Sequence, residues 1–177
     1  SLVGIARWTP EDLSAQVQVR INRYMYDNAG GVNTFDTAFQ IEALVGSGEQ
    51  LTAPLDTTSN TSAILELANV SAVGTTVTVQ IYRADGALLE TSSVSLPPNG
   101  SRHLITDQIL AGARGLVLVQ GDRAGSVIAV VMQYARNTDG GVRYMYGIPA
   151  VEPLGTRLSS SYNTYLGQRS ALWVINR

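Results

Sequence analysis

The chain has 177 residues and contains neither cysteine nor lysine. Without cysteine there is no disulfide, no zinc–thiolate site and no thiol nucleophile. Without lysine there is no Schiff-base amine, no phosphate-loop lysine and no lysine–asparagine crosslink of the kind that locks some surface β-domains. All twelve basic side chains are arginine. They are scattered along a chain of formal charge −2 with only 15% charged residues, so no basic stripe is present to follow a phosphate backbone, and nucleic acid is not an expected partner. Long hydrophobic runs are missing too: the longest wholly apolar one, VIAVVM at 127–132, is far too short to span a bilayer as a helix. The opening SLVGIARW reads as strand, without a charged leader or cleavage site, so an exported form would have a leader removed or lying upstream. Absent cysteine leaves the redox compartment open.

What remains is 45% apolar residues, seventeen glycines, eight tyrosines and abundant Thr, Ser and Val. That mixture favours short strands joined by turns, and the expected class is all-β. In TVTVQIY, Val77, Val79 and Ile81 alternate with Thr78 and Gln80, the period of a strand with one wet face. Asp85-Gly86 then supplies two positive-φ positions for a hairpin turn. LPPNGS interrupts the next strand, because proline cannot donate to a ladder and Asn99-Gly100 turns readily. Asp107 to Gly112 reads as a short helical turn capped by Thr106. GLVLVQGD and GSVIAVVMQYAR are apolar on both alternating sets, which places them centrally, covered on both faces or at a junction between modules. VRYMYGIP follows, with Val142, Tyr144, Tyr146 and Ile148 on one face. About seven strands result, enough for a sandwich with Greek-key connections.

An internal repeat organises these pieces. YMYDNAGGV (24–32) matches YARNTDGGV (134–142) at a shift of 110, and SAILEL (62–67) matches SALWVI (170–175) at a shift of 108. The second RYMY, at Arg143 against Arg23, is shifted by 120 and reads as coincidence of strand composition. A period of roughly 110 residues suits a β-sandwich module.

The run ILELANVSAVGTTVTVQIYRADGALLETSSVSLPPNGSRHL resembles the first half of immunoglobulin-like sandwich repeats in bacterial cell-surface and secreted proteins. It has a short strand ending in Asn, an alternating Thr-Val strand, an Asp-Gly hairpin and a Pro-rich turn before a hydroxyl-rich strand. The resemblance implies a scaffold, adhesive or filament role outside the cell and transfers no binding residue.

The expected organisation is therefore immunoglobulin-like β-sandwich modules in tandem. Residues 57–156 form a complete module, 1–52 an incomplete one equivalent to the second half of a repeat, and 157–177 a linker and donor strand that begins a further repeat. Neither end portion can bury its own apolar face. The repair is strand addition: SSSYNT serves as linker, and the following segment presents Tyr162, Tyr165, Leu166, Leu172, Trp173 and Ile175 to the incomplete half-module. Between chains this builds a head-to-tail homopolymer, within one chain it closes a compact protein, and a piece of a longer array explains the same arrangement without strand exchange.

Other residues carry weaker chemistry. His103 is the sole histidine and has neither nucleophile nor carboxylate assured beside it, so no catalytic residue is assigned. Glu11-Asp12 after Thr9-Pro10 reads as a capped helical start. Asp27-Asn28 and Asn137 with Asp139 lie in Gly-Gly loops but lack the acidic spacing of a calcium loop, so no metal or cofactor is expected. Tyr24, Tyr26, Tyr144, Tyr146, Tyr162 and Tyr165, with Trp8 and Trp173, could make an aromatic platform for glycans, and one tyrosine of each YMY is expected to pack while its neighbours face water. NTS, NVS and NGS, at Asn60, Asn69 and Asn99, are glycan acceptors in a cell equipped to use them. The expectation is a non-enzymatic extracellular or cell-surface structural subunit, with an adhesive or carbohydrate-binding module as the rival.

Overall fold

The computed structural model of the chain describes residues 6–8, 11, 12, 14, 18–27, 31–45, 50–138 and 141–152. Ten strands run through them: β1 (Arg20–Asp27), β2 (Thr34–Glu42), β3 (Leu51–Asp56), β4 (Thr61–Asn69), β5 (Thr75–Arg83), β6 (Leu88–Leu96), β7 (Ser101–Ile105), β8 (Arg114–Gly121), β9 (Val127–Arg136) and β10 (Val142–Pro149). No helix occurs among the described residues, so the class is all-β.

Two four-stranded antiparallel sheets face each other, one ordered β10-β9-β4-β7 and the other β3-β8-β5-β6. Period-two alternation puts one apolar set from each strand between them. Leu51, Ala53 and Leu55 come from β3, Ala63, Leu65 and Leu67 from β4, Val77, Val79 and Ile81 from β5, and Val127, Ala129 and Val131 from β9. Each wholly buried leucine here contributes roughly 1.5–3 kcal/mol relative to leaving it exposed. The sandwich takes its first strand from Leu51–Asp56, of which the expected boundaries put Leu51 and Thr52 in 1–52 and leave 53–56 between the modules. Pro54 is tolerated there because β3 is an edge strand, paired only with β8 among the strands of its sheet. At the other edge of this seam, Val151 bridges Thr52 with reciprocal hydrogen bonds, Thr52 N to Val151 O at 2.8 Å and Val151 N to Thr52 O at 2.9 Å.

β8 and β9 are central, as their doubly apolar sequences require. For β9 the cover on the second face is the hairpin β1–β2, which packs on the outside of the β10-β9-β4-β7 sheet through Ile41, Phe39 and Leu44 against Val130, Met132, Ile64 and Tyr134. Both segments of the 110-residue match are thus a strand followed by the turn of an antiparallel hairpin, β1 into β2 and β9 into β10. SAILEL lies in β4, the second neighbour of β9.

Some local expectations need correction. Only Gly86 of the Asp85-Gly86 pair has positive φ (88°); Gly86 N donates to Arg83 O and Arg83 N to Ala87 O, a three-residue loop with a glycine bulge, so Asp85 keeps ordinary backbone angles and its carboxylate accepts from Ala87 N instead. Thr106 does not cap a helix with its side chain: its hydroxyl donates to Ala63 O, and residues 107–112 form turns. Thr9 and Pro10, the expected cap of a helical start at Glu11-Asp12, lie outside the described residues; Asp12 accepts from Ser14 N and Oγ. Those two bonds hold the Asp12 carboxyl below its ordinary range.

Candidate interaction surface

The hairpin is held on the sandwich by one ion pair and one close approach. Arg23 projects from the sheet-facing side of β1 and meets Glu66 of β4 end to end, Nη1 to Oε1 at 2.8 Å and Nη2 to Oε2 at 2.6 Å. Glu66 is the lone charge in AILELAN and sits at an outward position, where an unpaired carboxylate under the hairpin would be costly. The bidentate fork satisfies both oxygens. Those bonds raise the Arg23 pKa above its ordinary value, while Arg23 also lies 6.0 Å from the Phe39 ring centroid. Burial, and next the Glu66 charge, push the nearby Tyr134 phenol up. His103 Nε2, on β7, is 3.7 Å from Glu66 Oε1, and its neighbour in sequence Asp107 is occupied in accepting from Ala63 N at 2.7 Å. The histidine therefore flanks a structural ion pair.

At the other side of the hairpin, Ile41 of β2 lies against Gly147 of β10. A Cβ at Gly147 would come within 2.5 Å of Ile41 Cδ1, so the glycine permits this contact. β2 thus lies over β10 while β1 reaches β4, and the strands beneath run β10-β9-β4-β7. Among the described residues the unpaired edge of β1 is the one turned away from β2 and β10.

That edge is the most distinctive feature of the surface. Among the described residues β1 pairs with β2 alone. Its matched strand in the sandwich, β9, is paired on both sides, by β10 and by β4. Two aliphatic side chains are left open, Ile21 on β1 at 41% exposure and Ile105 on β7 at 59%. Ile105 is the Cα partner of Ile64, whose side chain belongs to the cluster under the hairpin, so Ile105 stands on the same outer face.

The tyrosines are placed otherwise than expected. In both YMY segments the two tyrosines are exposed while the methionine between them is more covered, Met145 buried and Met25 half-buried, because residues i and i+2 of a strand share a face. Tyr26 meets Phe35 edge-on at 6.1 Å, and Tyr144 stacks on Tyr146 at 6.1 Å with an 18° interplanar angle. The Tyr146 phenol is raised by burial first and by Tyr144 and Asp56 after it. Trp8 is exposed.

The donor residues Tyr162, Tyr165, Leu166, Leu172, Trp173 and Ile175 lie outside the described residues, as do Asn28 and Asp139 of the Gly-Gly loops. Among the described residues no three His, Asp or Glu side chains converge as metal ligands. A mostly apolar recess of about 240 Å3 lies between Leu44, Val45, Leu51, Val127, Ile128 and Ala150, with Glu152 the one ionisable side chain in its described lining. Of the three sequons, Asn60 and Asn99 are exposed, but Asn69 is wholly buried. No helix among the described residues is long and apolar enough to cross a membrane. Sequence reasoning missed the Arg23–Glu66 pair; its one signal was the isolated acid in an otherwise apolar strand.

No protein-family model matches the chain, and no curated protein matches it in sequence. Among solved structures, the crystal structure of Thermotoga maritima 1070 matches with a TM-score of 0.51 at 9% identity, over 62% of this chain and 98% of that one. The Anabaena sensory rhodopsin transducer matches with a TM-score of 0.40 at 10% identity, over 49% of this chain and 97% of that one. At these identities the first likeness is one of fold alone, and the second is too loose to add to it.

Proposed function

We propose that the chain is a non-enzymatic structural subunit of an extracellular or cell-surface assembly, built from immunoglobulin-like β-sandwich modules in tandem and joined head-to-tail by strand addition. The observation that carries this reading is the one-sided pairing of β1, among the described residues, against the two-sided pairing of its sequence match β9. An open strand edge carrying an exposed isoleucine, Ile21, is a template for another strand. The chain itself contains a second version of the strand that fills this place beside β9: SALWVI (170–175), matching SAILEL of β4. Strand addition onto such an edge gives affinity through main-chain hydrogen bonds and selectivity through alternate side chains. A contact between unlike surfaces propagates as a fibre when its rotation does not close.

Electron microscopy and sedimentation of the full chain test this. Regular fibres are expected, and deleting residues 160–177 should abolish them while the sandwich still unfolds cooperatively. Trp173→Asp should act likewise, since a carboxylate in a closed strand interface is strongly disfavoured. Assembly unaffected by the deletion would refute the reading.

The rival, an adhesive or carbohydrate-binding module, draws on the exposed Tyr144–Tyr146 stack. It predicts dispersed particles that retain glycans and lose them with Tyr146→Ala.

A further inference from the structure

We propose a specific register and source for the added strand: residues 170–175 of a second copy lie antiparallel on the open edge of β1, with Leu172 opposite Asn22 and Trp173 opposite Ile21. This rests on the assembly reading above and goes further by fixing which residues meet.

The register follows from the sandwich's own version of the arrangement. β4 pairs β9 with Ser62 opposite Tyr134, Ala63 opposite Gln133, Ile64 opposite Met132 and Leu65 opposite Val131. Ser62 and Tyr134 are the first residues of the two sequence matches, whose counterparts are Ser170 and Tyr24. Carrying the pairing across puts Ser170 opposite Tyr24, Ala171 opposite Arg23, Leu172 opposite Asn22 and Trp173 opposite Ile21. The strand order β10-β9-β4 is then reproduced as β2-β1-donor, turning an isolated two-stranded ribbon into a three-stranded sheet with a buried face.

The side chains fit this register. Directly opposed residues share a face, and Arg23 and Phe39, opposed in β1–β2, both turn toward the sandwich. Ile21 lies two residues from Arg23 on the same face. Ala171 and Trp173 would therefore also face the sandwich. The small Ala171 beside Arg23 leaves the guanidinium free to keep Glu66. The indole of Trp173 would cover the exposed Ile21. A shift of one residue would turn Trp173 to the outer face and set Leu172 and Val174 over the sandwich instead.

The source is a neighbour because of chain order. Within the repeat, the β4-like strand precedes the β9-like hairpin. In this chain the β4-like segment at 170–175 follows its hairpin partner at 20–42, and a strand donated by a preceding subunit restores the order of the repeat.

The chain has no cysteine, so introduced thiols report contacts without background. Two single variants, Asn22→Cys and Leu172→Cys, are mixed and oxidised under assembly conditions, then run on a non-reducing gel. A disulfide-linked heterodimer is expected that forms at least about fivefold more than in the mixture of Tyr24→Cys with Leu172→Cys, because diagonal neighbours stand about 7–8 Å apart, beyond disulfide reach. Asn22 is exposed, so its substitution leaves the hairpin packing untouched. Fibres that depend on residues 160–177 but give equal or reversed crosslinking would overturn the register and leave the assembly reading standing. A doubly substituted Asn22→Cys, Leu172→Cys chain that closes only on itself, at monomer mass, would overturn the second copy as donor. Absence of any tail-dependent assembly would instead remove the reading on which the register rests.

Discussion

Arg23 and Glu66, forty-three positions apart, close a two-pronged ion pair across the interface between the β1–β2 hairpin and the sandwich. Glu66 keeps 16% of its side-chain surface exposed and Arg23 39%, so solvent screens the pair from one side only. Arg23→Ala is expected to destabilise the protein by about 1–2 kcal/mol, between the values for surface and buried pairs. Replacing both by leucine should cost less than either single truncation, since no charge is then stranded. Urea unfolding of the three variants, with protease sensitivity of the hairpin as a local readout, checks the ordering.

Gly115 and Gly147 should respond differently to alanine. At Gly115, the second residue of β8, a Cβ would overlap the Tyr82 carbonyl oxygen, which belongs to the paired strand β5 and cannot yield without opening the ladder. Gly115→Ala should cost about 3 kcal/mol or more. At Gly147 the obstacle is the tip of the Ile41 side chain, so Gly147→Ala should cost about 1 kcal/mol. Its effect should appear as faster hydrogen exchange in β2 with little change in the thermal midpoint of the sandwich.

Asn69 ends β4 in a closed hydrogen-bonding pocket. Its Nδ2 donates to Val73 O at 2.8 Å, Pro97 O at 3.0 Å and Leu96 O at 3.3 Å, and its Oδ1 accepts from Ser71 N and Oγ. Asn69→Ala should cost about 2–3 kcal/mol by orphaning these groups, and Asn69→Asp more, because a carboxylate would face three carbonyl oxygens. The same burial predicts that expression in a glycosylating cell leaves Asn69 unmodified while Asn60 is available, which glycopeptide mass spectrometry can read.

Asp122 gives the sandwich an acid-sensitive contact. The Thr75 hydroxyl, then a backbone bond with Thr76, hold its carboxyl below the ordinary value, so the folded state binds this proton less readily than the unfolded chain. The resulting stability is present above the ordinary carboxylate range and is lost as pH falls through the lowered value. The stability difference between wild type and Asp122→Asn should be flat from neutral pH to about pH 5 and shrink below about pH 3. A difference independent of pH would dismiss this assignment.

Much of the sandwich was legible because its strands are half-wet: Val77, Val79 and Ile81 announce their face by alternation alone. The β9 run VIAVVM was equally informative in a different way, since apolar residues on both faces required a cover on each. What supplied the outer cover was not legible. Local pattern fixes which side of a strand is apolar but not which distant surface meets it, so neither the seat of β1–β2 nor the partner of Glu66 could be read. The tyrosine assignment failed for a geometric reason: Tyr144 and Tyr146 must share a face, leaving Met145 to pack. The Asp85-Gly86 turn failed because an Asp-Gly pair serves both two-residue and three-residue loops, and only the backbone tells them apart.

The Thr52–Val151 bridge means that the chain enters and leaves the sandwich at one spot, through two strands lying side by side and running in opposite directions. Tension applied through residues 50 and 152 would therefore bear first on that pair of hydrogen bonds, peeling them one after the other, while the strands behind them carried no load. The module is mechanically a loop tied off at its neck: its yield point is set by Thr52 and Val151 and not by the depth of its leucine core, and pulling a single molecule by these two points should show a low-force opening before the sandwich itself gives way.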